Sequence, residues 1–345
     1  MDKGSEIVLS VLVISHNQRD LLPRCLDSIL GQKISVPFEI IVSDDRSSDG
    51  TWELIEEYAH KYPEIVKGVK CNSDECSPVN RSERCGWNKA TVYKHARGEF
   101  FVNIDADDYL KSDDIYQKQL DLLIANPDCA LCQQRVWQVN DGQPLESGYA
   151  WPKHPILKDG VKLDAATVIQ NDLQGLNPTY MIRRDKGNNP AEKLGKWFND
   201  TNITLYYLQL GKVIFLDRED YVWVQYRSSI SNSVRNWDRQ VLYALLPMQQ
   251  TLLFPQFSNY FPIQRNLTLG KLLKNSIYKR LELSDGMRNY CSEFDGFIFQ
   301  YFGRGQKGIK AKIRIVKAYL KFRRIRKTNV LTQVQRDELN TLLLG

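Results

Sequence analysis

Three aspartates fall within four residues at Asp105-Ala106-Asp107-Asp108. Carboxylates this close repel one another unless a cation joins them. Hard oxygen ligands of this kind take Mg²⁺ or Mn²⁺, and the phosphates of a nucleotide diphosphate complete the coordination. A cation held there neutralises the charge that grows on a departing diphosphate. Alone, the same four residues also fit a solvated acidic loop ahead of a helix capped by Ser112. A second acidic pair, Asp44-Asp45, precedes Ser47-Ser48-Asp49-Gly50. Its carboxylates are of the kind that accepts from a base N–H or a ribose hydroxyl, whereas Asp49-Gly50 is a turn signal. The expectation is that Asp49 shapes the turn and Asp45 faces a ligand. A third polar segment is Ser15-His16-Asn17-Gln18.

Each of these segments follows a short apolar run. Residues 7–14, 38–42, 65–69 and 100–104 read as buried strands. Between them, residues 20–30, 51–62 and 87–96 carry helical patterning closed by Gly31, Pro63 and Gly98, and a helix over 112–125 ends before Asn126-Pro127. Residues 129–139 read as a further strand. Alternating strands and helices predict an α/β fold with a mostly parallel sheet and right-handed crossovers. Such sheets bind ligands beyond the carboxyl ends of their strands, so the three polar segments are expected at one edge. Residues 140–176 are loop-rich. A strand near 177–183, a helix over 200–210 and extended runs at 212–216 and 221–226 follow, and from Asn236 the pattern is mainly helical.

Composition narrows the class. Hydrophobic residues are 42% and charged residues 26% of the 345, an ordinary globular mix. No run approaches the ~18–20 apolar residues of a membrane span. The first residues, Met1 to Glu6, lack the basic and apolar regions of a secretory signal, which predicts a cytoplasmic protein. Seven cysteines at irregular spacing argue against a disulfide framework, and Cys129-Ala-Leu-Cys132 has no second pair at zinc spacing, so it reads as two buried thiols. Residues 304–327 hold eleven Lys/Arg and no acid, which leaves −5 for the rest from a total of +6. This argues against a nucleic-acid-binding main body. From Ile309 a stripe of Ile313, Val316 and Leu320 is flanked by Lys310, Arg314, Lys317 and Lys321, the pattern of a basic amphipathic helix at an anionic membrane surface or of a solvated helix packed on its own domain. There is no Walker loop, dinucleotide fingerprint or nucleophile elbow.

Taken together, Val11-Leu12-Val13-Ile14-Ser15-His16-Asn17, Ile40-Ile41-Val42-Ser43-Asp44-Asp45-Arg46-Ser47-Ser48-Asp49-Gly50-Thr51 and Gly98-Glu99-Phe100-Phe101-Val102-Asn103-Ile104-Asp105-Ala106-Asp107-Asp108 resemble the family 2 glycosyltransferases in order, spacing and strand context. The resemblance covers residues 7–135 well and 177–233 more weakly. It implies a GT-A fold, a Rossmann-like central sheet with flanking helices, and inverting transfer of a sugar with Mn²⁺ or Mg²⁺. It implies that Ser15, His16 and Asn17 lie along the nucleotide, with His16 where the family often has Tyr. Asp45 would contact the base, usually uracil, and Asn88 matches a family Asn near the nucleotide or is a helix-surface amide. Asp105 would touch the ribose and Asp107 the metal, with Asp108 sharing either task.

An inverting transfer needs a base to take the acceptor proton. The family places an Asp at a helix start in its second half, and Asp200 in Phe198-Asn199-Asp200-Thr201 matches that position, unless it is a plain N-cap. Asn199 replaces the usual preceding acid. Tyr226-Arg227 resembles a family Tyr-Arg segment, in which Arg227 would offset diphosphate charge; the His that often follows is absent. The expected division is a catalytic GT-A domain over 1–235 and a helical region over 236–345 that includes the basic segment 304–327. The expected partners are a nucleotide-sugar donor, a UDP-sugar first, and a saccharide or lipid-linked saccharide acceptor. A peripheral contact with the inner membrane face falls to 304–327, and no nucleic acid is expected. A catalytically inactive GT-A domain acting as a binding or scaffold module is the alternative. A nucleotidyltransferase would need a Gly-rich phosphate loop that residues 15–19 do not provide.

Overall fold

The computed structural model describes residues 6–76, 81–171, 173, 179–226, 250 and 253–257. The chain divides into two compact units, residues 1–227 and 228–345. The expected boundary at 235/236, the basic segment 304–327 and Arg227 lie outside the described residues.

In the first unit the order is β1 (Leu9–Ser15), α1 (Leu22–Leu30), β2 (Phe38–Asp44), α2 (Thr51–Lys61), β3 (Val66–Lys70), α3 (Arg81–Lys94), β4 (Phe100–Asp105), β5 (Tyr109–Leu110), α4 (Ile115–Ala125), β6 (Cys129–Gln133), β7 (Val136–Asn140), β8 (Tyr149–Trp151), β9 (Lys162–Leu163), α5 (Ala165–Gln170), β10 (Met181–Arg183), α6 (Pro190–Leu194), α7 (Asp200–Tyr207), β11 (Lys212–Phe215) and β12 (Tyr221–Gln225). The main sheet has the order β3-β2-β1-β4-β10-β6-β11-β9, and a smaller sheet has the order β5-β12-β7-β8. Strands β3, β2, β1 and β4 are mutually parallel. β10 runs antiparallel between β4 and β6. The predicted α/β fold holds, with a parallel half joined to a mixed half.

The parallel half follows from burial. All seven residues of β1 are buried, as are the last six of β2. Strands covered on both faces need near-continuous apolar runs, and Leu-Ser-Val-Leu-Val-Ile-Ser supplies one. α1 covers one face with Leu22, Cys25, Leu26 and Ile29, a helical stripe. Cys129 and Cys132 are buried free thiols, as expected.

Two sequence expectations are corrected. Residues 129–139 form two strands in two different sheets, β6 and β7. Between them, the Arg135 amide donates to the Arg218 carbonyl and its side chain pairs with Asp217, which turns the chain out of the main sheet. The helix after the acidic loop begins at Ile115 with Asp114 in the cap position, so Ser112 caps nothing. Its carbonyl accepts from Gln32 Nε2 instead, at 2.5 Å.

An aromatic cluster fixes the parts that matter for chemistry. Tyr93 of α3 packs edge-on against Phe101 of β4 with centroids 4.9 Å apart, and against Phe198 at 5.4 Å. Phe101 also meets Tyr207 of α7, and the Tyr93 and Tyr207 hydroxyls lie 3.0 Å apart. Aromatic contacts of this kind add about 0.5–1.5 kcal/mol each beyond burial. They lock α3 and α7 onto the central strand.

Candidate active site

The strand order reverses between β1 and β4, which makes their carboxyl ends a topological switch point. Register brings three polar segments together there: Ser15 lies opposite Asp44, and Ile14 opposite Asp105. Asn88 of α3 brackets the strand ends. Its Oδ1 accepts from Ser43 Oγ at 2.5 Å, and its Nδ2 donates to the Ser15 carbonyl at 3.2 Å. It is 4% exposed, a buried brace rather than a helix-surface amide.

The loops after β1 and β2 fasten each other. His16 Nδ1 donates to the Asp45 carbonyl at 2.7 Å. Asn17 adopts φ 53°, its amide donates to Ser47 Oγ and its Oδ1 accepts from the Ser48 amide. The left-handed region is tolerable for Asn, whose short polar side chain bonds locally. Asp49 shapes the turn as expected, accepting from the Thr51 amide at 3.0 Å and the Arg19 amide at 3.1 Å. Asp45 is buried and well supplied. Its Oδ2 accepts from Arg84 Nη2 at 2.8 Å and Nε at 3.2 Å, and its Oδ1 accepts from the Ser73 amide. Burial alone would raise its pKa, but the Arg84 and Ser73 hydrogen bonds outweigh it and hold the carboxyl below its ordinary value.

The loop after β4 is the opposite case. Ligand oxygens of Asp105, Asp107 and Asp108 all lie within 4.8 Å of one another. Asp108 is 2% exposed; its Oδ2 accepts from the Tyr221 hydroxyl at 2.7 Å and its Oδ1 from the Val224 amide at 3.0 Å. These bonds tie the loop to β12. Burial, then the charges of Asp107 and Asp105, push the Asp108 carboxyl well above the ordinary range. Burial and the neighbouring Asp105 push Asp107 up to about 6. Arg24 brings a guanidinium nearby, but it donates to the Asp107 carbonyl oxygen and to the Tyr226 hydroxyl. An all-carboxylate oxygen set with surplus negative charge fits a hard divalent cation.

Facing this loop stands Lys89 of α3. Its ammonium donates to Asp200 Oδ1 at 2.5 Å and lies 3.5 Å from Asp105 Oδ1. Burial would lower its pKa, but Asp105 and Asp200 hold it well above the ordinary value, so the ammonium stays charged. Asp200 is the first residue of α7, and the cap is Asn199, whose side chain accepts from the Asn202 amide at 2.9 Å. Asp200 Oδ1 meets Lys89 beside the acidic loop. Close approach of α3 makes this possible. A Cβ on Gly86 would stand 2.2 Å from the Lys196 carbonyl oxygen, so only glycine admits the 195–197 turn that precedes Asp200.

Ser15, His16, Asn17, Asp45, Asn88, Asp105, Asp107, Asp108 and Asp200 therefore gather at one edge. Arg84, Lys89, Arg24 and Tyr221 belong with them, although sequence reasoning passed them over. Arg84 precedes Asn88 by four residues, one helical turn, and that spacing was the available signal. Lys89 adjoins Asn88 but pairs with residues 16 and 111 positions away along the chain, which nothing local announces. A cavity of about 950 Å³ opens elsewhere, beside Gly98, Arg184 and Tyr206, where β4 begins.

A switch-point edge carrying a carboxylate cluster defines a doubly wound α/β domain with a loop whose oxygens fit a divalent cation. Residues 10–169 match the profile described as Glycosyl transferase family 2, so this stretch of the chain is similar to that glycosyltransferase family. An uncharacterised protein of Mycobacterium tuberculosis is 31% identical over 126 residues, 36% of this chain and 34% of that protein. The putative teichuronic acid biosynthesis glycosyltransferase TuaG of Bacillus subtilis is 29% identical over 156 residues, 45% of this chain and 57% of its own length. The chain thus spans about a third to three-fifths of these relatives. Staphylococcus aureus TarS 1–349, solved in complex with UDP-GlcNAc, shares the fold at a TM-score of 0.54 and 15% identity, over 98% of this chain and 91% of that one. Among the described residues no helix is long and apolar enough to cross a membrane.

Proposed function

We propose that the protein is an inverting glycosyltransferase that takes a sugar from a UDP-sugar donor and passes it to a saccharide or lipid-linked saccharide acceptor. The observation that carries this reading is the cluster of Asp105, Asp107 and Asp108 at the switch point, with Asp200 across from it. Asp107 and Asp105 are the ligands best suited to Mn²⁺ or Mg²⁺, because both oxygens of Asp108 already accept hydrogen bonds. A divalent cation there supplies Lewis-acid neutralisation of the leaving diphosphate. Asp105 and the loops of Ser15, His16, Asn17 and Asp45 surround the nucleoside, with Asn88 and Arg84 holding those loops. Arg227 is kept as a diphosphate contact.

Asp200 is the general base. It accepts the proton of the acceptor hydroxyl as that oxygen bonds to the anomeric carbon, while the bond from that carbon to the diphosphate oxygen breaks with its electron pair. Lys89 positions the Asp200 carboxylate and separates it from Asp105. UDP is the first nucleotide to try because the TarS fragment of like fold was solved with UDP-GlcNAc. The name of the TuaG relative, a putative teichuronic acid biosynthesis glycosyltransferase, supports a saccharide polymer as the acceptor class. A membrane contact through 304–327 would bring a lipid-linked acceptor within reach.

Calorimetric titration of UDP with and without Mn²⁺, on the wild type and on Asp107→Ala, tests the reading. Binding that needs both the metal and Asp107 is expected, with affinity falling at least 100-fold in the variant. A wild type that binds neither UDP nor any other nucleoside diphosphate under either condition would leave the inactive scaffold as the better account.

A further inference from the structure

Among the described residues, the smaller sheet has a face that the acidic loop meets only through Tyr221. Side chains alternate between the two faces of a strand. Register sets Tyr221, Val136 and Trp151 in one row across β12, β7 and β8, and Trp223, Gln138 and Tyr149 in the next row on the same face. The first row is buried in the main core through Tyr221 and Val136, and opens only at its edge, where Trp151 is 38% exposed. In the second row Tyr149 is 47% exposed, and Trp223 and Gln138 are half-buried. The Trp151 and Trp223 rings meet with centroids 6.3 Å apart, tilted by 49°. Gln225 continues the face, and its buried Nε2 has no hydrogen-bond partner among the described residues. A buried amide donor left unpaired calls for an explanation.

Open aromatic faces beside amide side chains have the chemistry of a sugar-binding surface. A pyranose ring offers C–H faces that pack on indole and phenol rings, and a rim of hydroxyls that both donate to and accept from amides. None of Trp223, Gln138, Tyr149, Trp151 and Gln225 is charged, so ring and hydroxyl are recognised rather than phosphate or carboxylate. The position matters as much as the chemistry. β12, which carries Trp223 and Gln225, is the strand that binds Asp108 through the Val224 amide and the Tyr221 hydroxyl. β8 lies two strand spacings away, roughly 10 Å, a span that takes more than one sugar ring.

We propose that this face is an acceptor subsite that binds a neutral oligosaccharide, laid across β8 and β7 with its reacting end at β12 beside the acidic loop. The proposal rests on the glycosyl-transfer reading above. An array of defined oligosaccharides, followed by tryptophan-fluorescence titration of the best-bound member, tests it on the full chain. The wild type is expected to retain at least one saccharide. Trp151→Ala should weaken that binding at least tenfold and Tyr149→Ala about threefold, Trp151→Phe should restore most of it, and UDP affinity in Mn²⁺ should stay unchanged in all three. If Trp151→Ala does not fold, the exposed Tyr149→Ala decides. No array member bound by the wild type, or affinity unmoved in the folded variants, overturns the proposal. The two readings fail separately: UDP binding without saccharide binding removes the subsite alone, whereas saccharide binding that responds to Trp151 without any UDP binding keeps the subsite and removes the transferase.

Discussion

Two acidic loops leave the same edge of the main sheet, one after β2 and one after β4, and their electrostatics are opposite. Both bury carboxylates, and burial alone raises both sets. At Asp45 the Arg84 guanidinium and the Ser73 amide outweigh that cost, and the carboxyl sits below its ordinary value. At Asp107 and Asp108 the neighbours are further carboxylates, and the values rise. The β2 loop has its carboxylate charge offset by Arg84 as it stands. Among the described residues the β4 loop carries carboxylates that Lys89 offsets only in part, an arrangement that fits a divalent cation. Lys89 is the element that makes the second loop tolerable, since its one ammonium is shared between Asp105 and Asp200.

The largest effect should therefore come from Lys89. Lys89→Met leaves Asp105 and Asp200 facing each other without their shared cation, at an expected cost of about 3 kcal/mol. Urea denaturation in EDTA measures it. Mn²⁺ should restore more stability to this variant than it adds to the wild type, because the metal takes over part of the lost charge. A loss below about 1 kcal/mol would mean that solvent, not Lys89, screens the cluster.

The two loops should also respond to pH with opposite signs. Asp107 has a raised value in the folded chain, so the unfolded chain releases that proton first. Stability is then lost as pH rises from the ordinary carboxylate range of about 4 toward 6, and the full penalty persists above. Asp107→Asn should stabilise the metal-free protein by about 1–3 kcal/mol at pH 7.5, with no gain below about pH 4. Asp45 is lowered, so its contribution is present above the ordinary value and disappears as pH falls through its folded value. Asp45→Asn should cost about 1–3 kcal/mol at neutral pH, and the cost should fade only in strong acid. Thermal melts of the three proteins in EDTA from pH 3.5 to 7.5 compare them. Parallel profiles for the two variants would erase the distinction between the loops.

Much of this edge is legible in the sequence. Apolar runs ending in Ser15, Asp44 and Asp105 announce parallel strands whose carboxyl ends meet, because a strand buried on both faces leaves little else for its residues to be. Asp49-Gly50 announces its turn through backbone chemistry that depends on two residues only. Lys89 and Tyr221 were not legible for the converse reason. Their roles depend on which distant residue they meet, as Tyr221 meets Asp108 across 113 positions, and residue type alone does not encode that. The strand over 129–139 is two strands because the chain changes sheets at the polar Gln133-Gln134-Arg135, and apolar residues that resume at Val136 disguise the break as one run. The exchange is visible only through the partners of Arg135. The loop-rich stretch after Asn140 hid β8 for a related reason: three residues are too few for a period to register.

The smallest and most discriminating effect belongs to Tyr221. Its hydroxyl donates to Asp108 at 2.7 Å and accepts from the Asp105 amide at 3.4 Å, so it joins the acidic loop to β12 at two points. Tyr221→Phe keeps the ring in the core and removes only the hydroxyl. The Val224 amide continues to hold the other oxygen of Asp108, so the expected loss is about 1 kcal/mol. The informative quantity is the coupling with Asp107→Asn. If the hydroxyl's worth comes from the crowded charge of the cluster, neutralising Asp107 lowers the demand on Asp108, and the Tyr221→Phe penalty should shrink in the double variant. If it is an ordinary packing hydrogen bond, the two changes should add within about 0.5 kcal/mol. A double-mutant cycle by urea denaturation in EDTA separates the two. Additivity would place Tyr221 with the architecture of the β2 loop rather than with the open electrostatics of the β4 loop.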